Sequence, residues 1–324
     1  MRPRRRLKRN LRRTPGGLLK SSPDRFWRPH SLNWRSMAKC VPSRLALIET
    51  AQNADGGWGY FPGKESWLEP TVYALLALAG EPWAHQAIER AGCLLRSWEV
   101  GSGGWRGCAR VTEAHWATSL MVTLHSAMGI YDGATRRGVD WLLSTRGAET
   151  RAVARLAHWL SPRTVEFDAA LSGWPWEAGT SSWVEPTAHA LMALSRVARR
   201  GEHAGLEGRI AMGQAMLLER RCRDGGWNYG NRRVLGADLP SQPETTALAL
   251  MALDRHAEIR WGEMLDRVER QWHQTSSPLA RAWLGACLLQ YRGERPESPC
   301  RDLGGDILVR AVEAIPWNRI LTAA

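Results

Sequence analysis

Three glutamates occupy one position of a repeated phrase: Trp67-Leu68-Glu69-Pro70-Thr71, Trp183-Val184-Glu185-Pro186-Thr187 and Pro243-Glu244-Thr245-Thr246. Glu113, in Val111-Thr112-Glu113-Ala114, stands in a fainter copy. Each phrase opens a run of small and apolar residues that reads as helix, and on a helix residue i+4 lies one turn from residue i on the same face. Tyr73 is so placed relative to Glu69, and His189 relative to Glu185, near enough to share a proton. A carboxyl with such a neighbour can act as a general acid, which makes Glu185, Glu69 and Glu244 the candidate catalytic residues. Their repetition argues for a different use. A carboxylate at a helix N-terminus accepts orphan N–H groups and complements the dipole, for roughly 0.5–2 kcal/mol each. Those bonds lower its pKa. Catalysis needs one acid, whereas every helix needs a cap, so capping is the leading expectation for all three.

Other chemistry is sparse. There is no His-Glu-x-x-His, no phosphate-cradling glycine loop and no nucleophile elbow. Cys222, Asp224 and His256 come nearest to a zinc set, but Asp224 is the counterpart of Asp55 in a repeated turn. No metal and no cofactor is expected. Val165-Glu166-Phe167-Asp168 reads as a loop near the mouth of the fold, and Arg232-Arg233 as a loop pair within reach of an anionic headgroup or diphosphate. His115 and His189 also fit hydrogen-bonded histidines on buried helices.

The elements that must hold these residues follow from the repeat. Gln52-Asn53-Ala54-Asp55-Gly56-Gly57-Trp58 returns as Ser172-Gly173-Trp174 and Arg223-Asp224-Gly225-Gly226-Trp227, and more faintly as Ser102-Gly103-Gly104-Trp105. Self-similarity of this kind marks one supersecondary unit used several times. Wholly apolar segments near 70–79, 112–128, 150–160, 186–198, 244–255 and 278–290 alternate with amphipathic ones near 43–51, 82–98, 133–145, 206–221 and 258–272. A helix apolar on every side is buried on every side. The alternation therefore predicts an all-α fold of two concentric rings, an α/α toroid of about five to six helical hairpins, with Ile307–Ile315 closing the circle. The chain has 18 Trp against 3 Phe, and most of the Trp recur with the turn, so they are first of all architectural.

The net charge of +12 is concentrated in residues 1–36, where twelve Lys/Arg meet the single acid Asp24; that segment carries +11 and residues 37–324 only +1. The body is nearly neutral, which excludes a nucleic-acid groove there. Residues 1–36 read as a disordered basic extension, or a misassigned start, that can touch a membrane surface peripherally. Residues 37–324 read as one toroid domain. The six scattered cysteines favour a reducing, cytoplasmic setting. Nothing in the sequence sets an oligomeric state.

The turn phrase resembles the Gln-Trp repeats of squalene and hopene cyclases, within the terpene cyclase and protein prenyltransferase superfamily of α/α toroids. The resemblance covers residues 40–290 and implies an isoprenoid or lipid ligand in a Trp-lined central cavity, with Trp67, Trp183, Tyr73, His115 and His189 as candidate binding residues. Triterpene cyclases of this family protonate a polyene with Asp-x-Asp-Asp just before such a threonine. Here Glu69, Glu185 and Glu244 stand at the middle-acid position and the flanking acids are missing. The resemblance thus implies a cyclase-like protein, an isomerase, lyase or prenyltransferase-like transferase if it is an enzyme. The alternative is a non-catalytic toroid that binds a peptide or protein.

Overall fold

The computed structural model describes residues 41–152, 167–296 and 305–322. The basic segment 1–36, most of the apolar segment 150–160 and Val165-Glu166 lie outside the described residues. In chain order the first six helices are α1 (Val41–Thr50), α2 (Leu68–Leu78), α3 (His85–Ser97), α4 (Thr118–Ala127), α5 (Gly133–Ser144) and α6 (Val184–Arg199). There follow α7 (Glu207–Glu219), α8 (Pro243–Leu253), α9 (Trp261–Gln274), α10 (Pro278–Arg292), α11 (Ile307–Ala314) and α12 (Trp317–Thr322).

The even-numbered helices α2, α4, α6, α8 and α10 form the inner ring, each packed on the next. α11 packs on both α10 and α2 and closes the circle, as its apolar sequence predicts. α1, α3, α5, α7 and α9 lie outside. The division follows composition. α2 buries every residue except Glu69, whereas α9 buries only Met264, Leu265, Val268 and Trp272 along one face. The second inner helix starts at Thr118 rather than near 112, and α4 packs directly on α6.

The Gly-Trp turn joins the rings by the same bonds at Trp58, Trp174 and Trp227. Trp58, Trp174 and Trp227 are buried, and their indole N–H groups donate to Ile48, Leu142 and Leu217 carbonyls at the ends of outer helices, at 2.6, 2.9 and 2.6 Å. Their backbone N–H groups donate to Thr71, Thr187 and Thr246 Oγ1 on inner helices, at 2.9, 2.9 and 3.0 Å. Only glycine fits before the tryptophan: a Cβ on Gly173 would lie 2.1 Å from Thr187 Oγ1, and one on Gly226 2.6 Å from Thr246 Oγ1. Asp55 and Asp224 each accept the amide of the second glycine beyond them, at 2.9 and 3.1 Å, so both carboxylates serve the turn. Gln52 Nε2 donates to the Gly56 carbonyl, and Arg221 Nε takes that role on Gly225 in the last copy.

Two short ribbons add to the helices. β1 (Trp174–Pro175) pairs antiparallel with β2 (Ser182–Trp183), and β3 (Arg233–Val234) with β4 (Ala237–Asp238) across Leu235-Gly236. No helix among the described residues is long and apolar enough to cross a membrane.

Candidate functional site

Glu69, Glu185 and Glu244 are the second residues of α2, α6 and α8, at the end of the toroid that carries the Gly-Trp turns. The threonine that receives the tryptophan amide fixes the register of each copy. In the second copy Trp105 N–H donates to Thr118 Oγ1 at 3.0 Å, so the residue equivalent to the glutamates is Trp116, two before Thr118. Glu113 is exposed and lies outside the set, a correction to its place in the fainter copy.

The turn also decides what each glutamate bonds. Tyr60 and Tyr229 follow the turn tryptophan by two residues, and their hydroxyls donate to Glu69 Oε2 at 2.7 Å and to Glu244 Oε1 at 2.5 Å. The third copy has Trp176 at that place, and no group among the described residues hydrogen-bonds the Glu185 carboxyl. None of α2, α6 and α8 has a side-chain cap from its N-cap residue, Trp67, Trp183 or Gln242. Glu69 and Glu185 are half-buried residues whose carboxyls are closely surrounded by protein. Burial raises Glu185 to about 8, with the like charges of Glu69 and Glu244 adding to the shift. Burial likewise raises Glu69 to about 7, against the lowering effect of the Tyr60 hydroxyl. Capping predicts lowered values, and both shifts run the other way. Desolvation and mutual repulsion exceed the N-terminal dipole at this mouth.

Below the carboxyls lies an aromatic floor. Tyr73 does not pair with Glu69, nor His189 with Glu185; the Tyr73 hydroxyl and His189 Nε2 bond each other across the ring at 3.3 Å. Burial lowers His189 to about 3, so the imidazole is neutral at physiological pH. Tyr73 meets Trp283 and Trp317 edge to face and these two are tilted on each other, with centroids 5.4–6.2 Å apart, and His189 lies 5.6 Å from Trp283. All four are 0–3% exposed, so at this depth rings fill the axis instead of lining an open cavity. Trp116 links the floor to the mouth, 5.5 Å from His189 and 4.8 Å from Trp176. His115 stacks beside Trp116 and accepts the Ala117 amide through Nδ1. Trp67 packs by Tyr60, and Trp183 is exposed at the wall of a neighbouring cleft of 510 Å³.

Comparison with solved structures places this architecture. A variant of MstE, a type II terpene cyclase from Scytonema, in complex with its product merosterolic acid A is 18% identical, covers 87% of this chain and 78% of that one, and superposes with a TM-score of 0.50. This chain has a terpene cyclase-like α/α-toroid fold. A second MstE variant, holding geranylgeranyl dihydroxybenzoate as substrate, is 17% identical over 87% and 76% of the two chains, again with a TM-score of 0.50. The same architecture occurs in a family 8 glycosyl hydrolase, an endoglucanase of Klebsiella pneumoniae, at 14% identity, 85% and 97% coverage and a TM-score of 0.50. Among curated proteins, the drimenyl diphosphate synthase of Streptomyces showdoensis is 30% identical over 241 residues, which is 72% of this chain and 40% of that protein. An uncharacterized protein of Bradyrhizobium diazoefficiens is 29% identical over 187 residues, 57% of this chain and 31% of that one. The toroid thus spans well under half of either relative. No protein-family model matches it.

The sequence reading named the glutamates, Tyr73 and His189 and missed their partners. Tyr60, Tyr229 and Trp176 share one offset from the turn tryptophan, a signal present in the repeat. Trp283 and Trp317 come from α10 and α12, and nothing local marks them as floor residues.

Proposed function

We propose that this terpene cyclase-like toroid holds a long apolar isoprenoid against the rings at its mouth and protonates it from the Glu185 carboxyl. The observation that carries the reading is Glu185: unlike Glu69 and Glu244 it has no tyrosine partner, and with a pKa of about 8 it keeps its proton at neutral pH. Its O–H bond breaks as a C–H bond forms on a terminal alkene carbon, leaving a carboxylate and a tertiary carbocation. Trp116 and Trp176, in contact at the mouth, offer ring faces to that cation. The isoprenoid substrate of the MstE neighbour and the drimenyl diphosphate synthase relative support the substrate class.

A second reading, a toroid that binds a lipid or peptide without turning it over, is favoured by the filled axis. A carboxyl of pKa about 8 is also a reluctant acid toward an alkene. The test is incubation of the full chain with squalene, geranylgeranyl diphosphate and a prenylated hydroxybenzoic acid, followed by gas chromatography–mass spectrometry. The first reading expects a cyclised product that disappears in Glu185→Gln while the thermal melt is retained. Ligand retention in native mass spectrometry with no product from the parent protein would decide for the second.

A further inference from the structure

The 510 Å³ cleft beside the mouth falls in the size range of small-molecule sites. Phe167, Trp183 and Tyr229 give it aromatic walls, and Arg220, Asn231 and Gln242 polar ones. Arg220 is 3% exposed. Its Nη1 donates to the Ser182 carbonyl at 3.2 Å, but its Nε has no hydrogen-bond acceptor among the described residues. Asn231 Oδ1, also buried, has no donor among them either. An unmet buried group carries a desolvation cost, larger when it is charged, that a ligand of matching chemistry removes. The two groups together ask for one acceptor and one donor.

Charge limits what can supply them. Arg220 already faces Glu149 at 4.0 Å and Glu219 at 3.8 Å. Arg232 lies 3.6 Å from Glu219, and Arg233 and Arg223 lie 3.7 and 3.3 Å from Asp238. Among the described residues, these four guanidiniums thus share three carboxylates, Glu149, Glu219 and Asp238, which leaves a surplus of one positive charge. Tyr229 ties the cleft to Glu244, and Trp183 stands two residues before Glu185, so the cleft adjoins the mouth. A polyanion needs several uncommitted cations. A surplus of one suits a single negative charge instead.

We infer that this cleft is a headgroup subsite for a singly charged or uncharged oxygenated aromatic head, an aromatic acid in particular, and that it rejects a diphosphate; the inference rests on the isoprenoid reading above. The carboxylate of such a head accepts from Arg220 Nε, a hydroxyl donates to Asn231 Oδ1, and the ring packs on Trp183. The tail then leaves the cleft toward Glu185.

The test measures binding to the full chain by tryptophan fluorescence for three probes: a farnesylated hydroxybenzoic acid, farnesyl diphosphate and farnesol. The acid is expected to bind at least about tenfold more tightly than the diphosphate. Asn231→Leu and Arg220→Gln should each weaken the acid about tenfold and leave farnesol within about twofold. Asn231 lies in the segment between α7 and α8, so its variant serves if loss of the Arg220–Ser182 bond unfolds the other. A preference for the diphosphate, or an Asn231→Leu protein that binds the acid as the parent does, overturns the inference. The isoprenoid reading fails separately: it falls if farnesol does not bind at all. Binding with the stated preference but without turnover removes only the protonation step.

Discussion

Glu69, Glu185 and Glu244 share one backbone position and differ in what the preceding turn offers them. Tyrosine hydroxyls meet the first and third; the turn before the second carries Trp176 at the tyrosine's offset. A carboxyl whose folded pKa is raised to about 8 binds its proton more tightly in the native state than in the unfolded one. The stability it permits is full below its ordinary carboxylate range and is lost as pH rises toward 8. Glu185→Gln removes that loss. The variant should gain in melting temperature over the parent between about pH 5 and 8, then hold a constant lead above 8, as thermal melts across that range would show. Tyr60→Phe removes the one contact that lowers Glu69, so its titration midpoint should move above about 7.

At the scale of the element, the Gly-Trp turn is a joint made of an indole bond, an amide bond and a buried ring. Trp58, Trp174 and Trp227 are 0–1% exposed, and Trp→Ala at any of them should cost about 3–5 kcal/mol by chemical denaturation, as a large aromatic cavity. Thr187→Val keeps the shape but orphans the Trp174 amide, for about 1–3 kcal/mol. Both rings of helices were legible because wholly apolar segments have nowhere to lie except between two layers. The register of the second copy was legible too, but through a different count. Thirteen residues separate Trp58 from Thr71, Trp174 from Thr187 and Trp105 from Thr118. Grouping Glu113 with the other glutamates left that count unused and hid Trp116. In the last copy the span from Trp227 to Thr246 is nineteen, because the segment carrying β3 and β4 intervenes.

At the scale of the whole molecule, the site exists because the ring closes. Tyr73 and His189 are 116 residues apart and bond across the axis, a pairing that no local pattern contains. The seam is held by α11 against α1 and α2, with Arg44 Nη1 on Glu313 Oε2 at 2.8 Å. Arg44→Met leaves Glu313 in a largely buried place without that cation. It should cost about 3 kcal/mol in a denaturation curve, without loss of secondary structure below the transition. Closure also brings carboxyls from three sectors to one mouth, and the proposal that Glu185 delivers a proton depends on that convergence. Carbon-13 NMR titration of the Glu185 side-chain carboxyl, in the parent and in Glu69→Gln, tests it most directly. The account predicts a midpoint of about 8 that falls when the Glu69 charge is removed. A midpoint in the ordinary carboxylate range, unmoved by Glu69→Gln, would contradict it.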